Sequence, residues 1–447
     1  MAYSEFWNPK HETLPRAELQ ALQLLKLRRL CEWAYATTPF HTRQFDKAGF
    51  HPAQLQTFDD VRRIPFMTRE DWMASLQEKP LFGEMLATDP TNAIRYHLTS
   101  GTSGRTPIRV LDGTKDWDWI GEMWCYGLWG FGIRPEDSVY FAFGYGSFIG
   151  FWGAHEACQK IGALVVPGGA QTTEARIKQI VELGVTTVAS TPTYALHLWQ
   201  KAREMGIDLA TQSKVNKVIL SGEPAGSIPA VKRQLEDAWG AQCGDTAGMT
   251  EIGTIMIFEC SHHSGGTHII EDHFIEEVLD PLTSEPVGYG ELGERVVTSF
   301  GRGFIPLIRY RTRDMVMKVP AATCSCGRTW DLYSGGIRGR WDDMKLIRGT
   351  NVYPSAVEAI IRENPVVDEF QIYCWRKDDI QDEIDVKLEI KPGFEHAWPD
   401  LQTKLAKDLS QAHEGLRFNI VRMDYGSLPR FELKARRLVD ARPVAEY

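Results

Sequence analysis

Two groups of residues in this 447-residue chain have types and spacing suited to chemistry. The first is the run Thr99-Ser100-Gly101-Thr102-Ser103-Gly104-Arg105-Thr106-Pro107. Short hydroxyls beside glycine amides make a loop that can wrap a polyanion such as a phosphate. It is not a Walker A loop, because the G-x-x-x-x-G-K-[ST] spacing is absent. Such composition also serves as ordinary surface loop, so the run alone fits both readings. The second group is Cys324-Ser325-Cys326 with Cys260 and His268. A Cys-x-Cys can place two thiolates on one ion, and Cys260 with one imidazole completes a Cys₃His tetrahedral set for Zn²⁺. His262 and His263 are rivals of His268 for the fourth position. Four protein ligands leave no place for water, so the site would be structural. The alternative is a set of free, reduced thiols.

The elements that must position these groups form a large mixed fold. A length of 447 residues with 43% hydrophobic residues is enough for two or more domains. The net charge of −9 argues against an electrostatic nucleic-acid partner. No run of about 18 apolar residues is present, so no membrane span is expected. The N-terminus MAYSEFWNPKHETLPRAELQ lacks an apolar h-region, and a cytoplasmic location is the expectation. Cys31, Cys125, Cys158, Cys243 and Cys374 sit among mostly apolar neighbours and read as core residues. Apolar spacing predicts a helical region over residues 12–90, with Trp33, Tyr35 and Phe40 in packing roles. From about 94 to 335, apolar strands such as SVYFAFGYG, TTVAST and KVNKVILSGEP alternate with amphipathic helices such as TEARIKQIVELG. That rhythm predicts an α/β fold with parallel strands, whose ligands bind past the carboxyl ends of the strands. Residues 275–319 turn to strand and turn, and a separate small α+β pattern follows Arg340, with a hinge near Trp341 and Asp342.

Further motifs stand in order after the hydroxyl-rich loop. They are Ser221-Gly222-Glu223-Pro224, Gly248-Met249-Thr250-Glu251, Tyr310-Arg311-Thr312-Arg313-Asp314, the stretch from Gly339-Arg340 to Arg348-Gly349, and Pro429 to Arg437 around Lys434. Together they resemble the signature motifs of the adenylate-forming superfamily. The stretches GYGSFIGFWGAH, STPTYALHL, FECSHHSGGTHIIEDHF and RGTNVYPSAVE resemble its phenylacetate–coenzyme A ligase branch. The resemblance implies a large N-terminal domain over residues 1–341, with parallel-sheet subdomains and a small β-barrel-like part. It also implies a small mobile C-terminal domain over 342–447 that turns at Asp342. Its cofactors would be ATP, Mg²⁺ and coenzyme A, and some members of the branch carry the same cysteine pairs with a structural zinc.

By that resemblance the loop Thr99 to Gly104 cradles the β- and γ-phosphates of ATP, Thr250 meets the α-phosphate, and Glu251 holds Mg²⁺. Gly222, Glu223, Pro224 and Asp245 border the adenine, Asp314 accepts the ribose hydroxyls, and Arg340 reaches ribose or phosphate. Lys434 serves adenylation, and Arg348 with Gly349 approaches the thiol channel. These residue types suit a reaction that gathers negative charge on phosphate oxygens. Two positions depart from the family: Leu433 stands where a glycine usually precedes the lysine, and Ala247 where an aromatic residue usually stacks on adenine. Tyr145, Ile149, Phe151 and Trp152 should border the acid. Ile149, Phe151 and Trp152 stand where phenylacetate ligases have smaller residues, which favours a compact acid such as 2-hydroxyisobutyrate. A phenylacetate or other aryl-acid ligase is the alternative, and a carrier-protein-loading adenylation domain is the reading of another type. The expected partner is a small carboxylic acid, with no nucleic acid or membrane, and a homodimer is the assembly considered.

Overall fold

The computed structural model describes residues 3–99, 107–262, 265–348, 350–378, 381–431, 435 and 437–442, without the side chains of 224 and 225. The N-terminal region holds helices α1 (Pro9–Glu12), α2 (Arg16–Thr37), α3 (Pro39–Lys47) and α4 (Arg69–Glu78). The helical stretch expected over 12–90 is therefore broken, with short 3₁₀ turns at Pro52–Gln54 and Phe58–Arg63. Prolines at helix starts and the Thr68–Asp71 capping box set these boundaries. Phe40 is buried as expected, whereas Trp33 is exposed, its indole N–H donating to the Gly303 carbonyl. Buried Arg328 donates to Glu12, and Gln23 donates to the carbonyls of Glu271 and Phe274, so the region is pinned to strands far along the chain.

A hairpin of β1 (Arg95–Leu98) and β2 (Arg109–Asp112) leads into α5 (Thr114–Gly130) and β3 (Ser138–Phe141). The chain then alternates: α6 (Trp152–Ile161), β4 (Leu164–Pro167), α7 (Thr173–Leu183), β5 (Thr187–Ser190), α8 (Pro192–Glu204), α9 (Leu209–Gln212), β6 (Lys217–Ser221), α10 (Pro229–Trp239) and β7 (Gln242–Gly248). Strands β4-β3-β5-β6-β7 lie side by side, all parallel. Helices cover the parallel strands, so β5 is buried at every residue. Gly162 ends α6 in the left-handed region at φ +92°, which a residue with a Cβ adopts only at a cost.

The sheet continues antiparallel through β8 (Ile255–Phe258), β9 (Gly266–Ile269), β10 (Phe274–Leu279), β11 (Leu292–Ser299), β12 (Leu307–Val319), β13 (Leu332–Ser334) and β14 (Gly339–Arg340), in the order β7-β8-β9-β13-β12-β11-β10 with β14 also on β12. The barrel-like part expected here is an open extension of the large sheet, with no closing strand pair among the described residues. Register shifts between β11 and β12 mark bulges, and Arg309 and Arg313 on β12 take positive φ of 45° and 65°.

A separate C-terminal domain follows. After the hairpin β15 (Lys345–Ile347) and β16 (Thr350–Val352) come α11 (Pro354–Arg362), β17 (Val367–Lys377), β18 (Gln381–Ile390), α12 (Trp398–Ala412), β19 (Asn419–Met423) and β20 (Leu438–Asp440). Its four-stranded sheet, β19-β18-β17-β20, has its own apolar core around Ile372, Val386, Leu388 and Leu405. No helix among the described residues is long and apolar enough to cross a membrane.

Candidate active site and metal cluster

The parallel strands end side by side, and the segments after β6 and β7 carry Gly222, Glu223, Pro224, Thr250 and Glu251. Gly222 follows β6 at φ +92°, a left-handed turn that re-aims the chain toward Glu223. The Glu223 carboxylate accepts from the Thr193 hydroxyl at 2.7 Å and from the backbone N–H of Ala435 at 2.9 Å. It therefore ties the first turn of α8 and the loop after β6 to the C-terminal segment, a contact across 212 residues that no local pattern announces. Burial pushes its carboxyl pKa up. Pro224 opens a 3₁₀ turn, Pro224–Ser227. Asp245 on β7 accepts from the Ser227 hydroxyl, and burial raises its pKa to about 7.

Thr250 and Glu251 follow β7 in a tight turn closed by the Gly253 N–H on the Met249 carbonyl, 2.8 Å. Both are buried. Arg302, fully buried, donates through Nη1 to their backbone carbonyls at 2.8 and 2.9 Å. Its other edge pairs with both oxygens of buried Asp112, each at 2.7 Å. Thus an arginine from the β11–β12 loop, anchored on β2, fixes the two groups expected to work on the α-phosphate and metal. The Glu251 side chain itself faces Arg69 at 3.4 Å. To serve as the single carboxylate of an Mg²⁺ site, whose other ligands are typically phosphates and water, Glu251 would exchange this Arg69 contact for the ion.

Asp314 lies on β12 with its carboxyl buried. Desolvation raises its pKa, and Arg295 and then Arg340 act against that rise. The Arg340 fork is engaged by Asp342, at 2.8 and 2.9 Å. Asp342 also receives Arg313 at 3.2 Å, and Arg313 reaches back to Glu70 at 2.7 Å. The expected hinge residue thus sits in a short turn, Trp341–Asp343, clamped by two arginines. Arg348 donates to the Asp382 carbonyl and pairs with Glu383, within the C-terminal domain. Thr99 is described, its hydroxyl accepting from the Ile108 N–H at 3.0 Å. Ser100, Gly101, Thr102, Ser103 and Gly104, Gly349, Lys434 and His263 lie outside the described residues.

Past β3, Ile149 and Phe151 are buried in the main core, and Phe151 packs on Phe141, Phe143 and Trp124. Trp152 starts α6 nearer the surface. Its ring meets Tyr145 edge-on at 4.8 Å and its N–H donates to the Gly146 carbonyl at 3.0 Å. Tyr145, at φ +40°, places its hydroxyl 2.9 Å from His155 Nδ1.

Away from this region, Cys260, His268, Cys324 and Cys326 converge, all buried, with their ligand atoms within 4.8 Å of one another. Cys260 and Cys324 sulfurs are 3.6 Å apart, and Cys326 sulfur lies 3.3 Å from His268 Nε2. Tetrahedral Zn²⁺ with bonds of about 2.3 Å to sulfur sets ligand atoms about 3.8 Å apart, so the four atoms fit such an ion. His268 Nδ1 lies 3.2 Å from the Trp330 carbonyl oxygen, which can only accept. With Nδ1 donating there, Nε2 is the ring nitrogen left to ligate an ion at the cluster. A hydrogen bond from Cys260 holds the Cys326 thiol far below its ordinary range and pushes Cys260 up. His262 is turned away, exposed, at 3.1 Å from the Ser325 hydroxyl. The sequence missed Arg302 and Asp112, which meet across 190 residues, Arg69, which meets Glu251 across 182, and Arg295, whose partners sit across strand pairings that no local pattern marks.

Comparison with known proteins gives the family. The family described as AMP-binding enzyme C-terminal domain matches residues 349–442. The chain is 33% identical over 455 residues to a phenylacetate–coenzyme A ligase of Thermus thermophilus, covering 98% of this chain and 99% of the relative. It superposes on a 2-hydroxyisobutyryl-CoA ligase in the postadenylation state, in complex with 2-HIB-AMP, with a TM-score of 0.92 at 29% identity, covering 98% of this chain and 93% of that one. A structure of that ligase with 2-HIB-AMP and CoA in the thioesterification state matches at 0.74, with 30% identity and the same coverage. The chain belongs to the adenylate-forming superfamily, in its phenylacetate–coenzyme A ligase-like branch. It is an AMP-forming acyl-CoA synthetase that joins a small carboxylic acid to coenzyme A with ATP.

Proposed function

We propose that the acid is compact, of the class of short branched 2-hydroxy acids such as 2-hydroxyisobutyrate. The observation that carries this reading is the aromatic packing past β3. Phe143 and Tyr145 rings are 4.2 Å apart, Trp152 closes on Tyr145, and Ile149 and Phe151 fill the core behind. Bulk there leaves less room for an aryl ring, while the Tyr145–His155 pair offers polar atoms to a hydroxyl on the acid. Phenylacetate is the second reading, favoured by the name of the sequence relative.

In this reading Thr250 binds the α-phosphate and Glu251 holds Mg²⁺, which neutralises phosphate charge. Asp314 accepts the ribose hydroxyls, Gly222, Glu223, Pro224 and Asp245 border the adenine, and the loop 99–104 covers the β- and γ-phosphates. Lys434 directs its charge to the oxygens between carboxylate and α-phosphate. The carboxylate attacks the α-phosphate and pyrophosphate leaves; the coenzyme A thiol then displaces AMP. Domains over 1–341 and 342–447 turn about Asp342 between these steps, with Arg348 and Gly349 lining the thiol channel in the second. The higher match to a postadenylation than to a thioesterification structure supports an arrangement close to the first step. Cys260, His268, Cys324 and Cys326 hold a structural Zn²⁺.

AMP and pyrophosphate release, measured over a panel of acids with and without coenzyme A, tests the reading. The expected result is AMP rather than ADP, coenzyme A-dependent thioester, and a higher kcat/KM for 2-hydroxyisobutyrate than for phenylacetate. The reverse order would overturn the compact-acid reading.

A further inference from the structure

Arg295 on β11 and Glu276 on β10 form an ion pair whose side chains are both 0% exposed. Arg295 Nε donates to Glu276 Oε2 at 2.6 Å, Nη2 to Oε1, and the buried Tyr333 hydroxyl donates to the same Oε2. Such a pair costs more desolvation than its attraction returns unless its geometry does something else. One atom of it is unspent. Arg295 Nη1 is buried with no hydrogen-bond partner among the described residues, and it lies 3.9 Å from Asp314 Oδ2.

The backbone is built to bring these two groups together. The ladder between β11 and β12 pairs Glu294 with Met315 and Val296 with Arg311, so Arg295 faces the bulged stretch Thr312–Asp314 alone. Thr312 stitches the bulge: its hydroxyl donates to the Arg295 carbonyl at 2.9 Å and accepts from the Asp314 N–H at 3.1 Å. Bulges of this kind re-aim side chains beside active sites. The other cation near Asp314, Arg340, has its fork occupied by Asp342.

We propose that Arg295 is a positioning residue for the nucleotide: anchored by Glu276 and Tyr333, its spare edge orients the Asp314 carboxylate toward the ribose 2′ and 3′ hydroxyls. The inference rests on the reading of Asp314 as the ribose acceptor. It adds that ribose recognition requires a buried ion pair on neighbouring strands that never touches the nucleotide.

Calorimetric binding of ATP, 2′-deoxy-ATP and 3′-deoxy-ATP to the full chain tests it without the acid. A hydroxyl donating to a charged carboxylate should make wild type prefer ATP over a deoxy analogue by roughly tenfold or more. Asp314→Asn should remove that preference. Arg295→Lys, whose single ammonium cannot bridge both carboxylates, should compress it to about threefold or below. The triple variant Glu276→Leu/Arg295→Met/Tyr333→Phe removes the pair together with the buried hydroxyl that donates to it, and should fold as well as wild type with the same compression. A general loosening would weaken all three nucleotides alike and keep the ratio, so the ratio reports on the ribose. If Asp314→Asn abolishes the preference while both Arg295 variants keep the full ratio, the role of Arg295 is overturned and the ribose reading stands. If Asp314→Asn keeps it, the ribose reading fails and this inference with it.

Discussion

Replacing Arg302 by methionine should separate folding from chemistry. In the wild type its guanidinium serves Asp112, which is 0% exposed, and the carbonyls of Thr250 and Glu251. Methionine keeps the volume and removes every donor. The stranded buried carboxylate should cost about 3–5 kcal/mol. The two carbonyls add about 1 kcal/mol each. Against a usual domain stability of about 5–15 kcal/mol, that is a large loss. Removing Asp112 as well, in Asp112→Leu/Arg302→Met, deletes the stranded charge, and most of the lost stability should return. The turn at 249–254 would still lack its tether. If the roughly 2 kcal/mol of missing carbonyl hydrogen bonds is expressed in the transition state, adenylation should fall about thirtyfold. Urea unfolding midpoints and acid-dependent ATP–pyrophosphate exchange measure the two effects. A double variant with restored stability and full exchange would refute the claim that Arg302 positions Thr250 and Glu251. A single variant as stable as wild type would refute the energetics.

Other expectations can be checked as directly. Trp152→Gly should raise kcat/KM for phenylacetate relative to 2-hydroxyisobutyrate by tenfold or more, since one methylene already carries roughly 1–3 kcal/mol of discrimination in an apolar pocket; an unchanged ratio would put Trp152 outside the acid site. Purified protein should hold one zinc per chain by elemental analysis, and Cys324→Ser should lose it and unfold at lower denaturant because binding energy is folding energy; protein purified without zinc, with Cys324→Ser as stable as wild type, would count against the site. Asp342→Ala releases Arg340 and Arg313, and should lower pyrophosphate exchange by roughly tenfold while thioester formation from synthetic acyl-adenylate holds, the equivalent of about 1.4 kcal/mol on one orientation; equal loss in both steps would point to plain destabilisation.

What could be read before the structure follows from how locally each feature is encoded. The alternation of apolar runs with amphipathic helices names β3 to β7, because period and glycine punctuation are properties of short windows. The Cys-x-Cys pair was legible for the same reason, because its spacing sets two thiols side by side, whereas Cys260 and His268 join it across 64 and 58 residues. Arg302 and Asp112 meet across 190 residues, and Glu223 meets Ala435 across 212. No propensity or period signals such a meeting. The N-terminal region read as one helical stretch because its apolar spacing continues across Pro39 and Pro52, which begin new elements rather than prolonging the preceding helix. The bulges on β12 were invisible because arginine is an unusual occupant of positive φ, and nothing in RYRTRD marks Arg309 or Arg313 as left-handed.

Strand β12 also bears on how such a protein can change over time. Within thirteen residues it ties the N-terminal region through Arg309, whose Nη1 donates to the Ile64 carbonyl, carries Asp314, and pairs with the Arg340 strand that precedes the turn to the C-terminal domain. Side chains alternate faces along a strand, so one residue gained or lost between Arg309 and Asp314 would send Asp314 to the opposite face and pull the two bulges out of step. A substitution here breaks one connection, whereas a change in length breaks three at once. Lineages descending from this chain should therefore keep the count of residues in this segment, while insertions collect in exposed connections such as the turn at Leu282, which is 86% exposed.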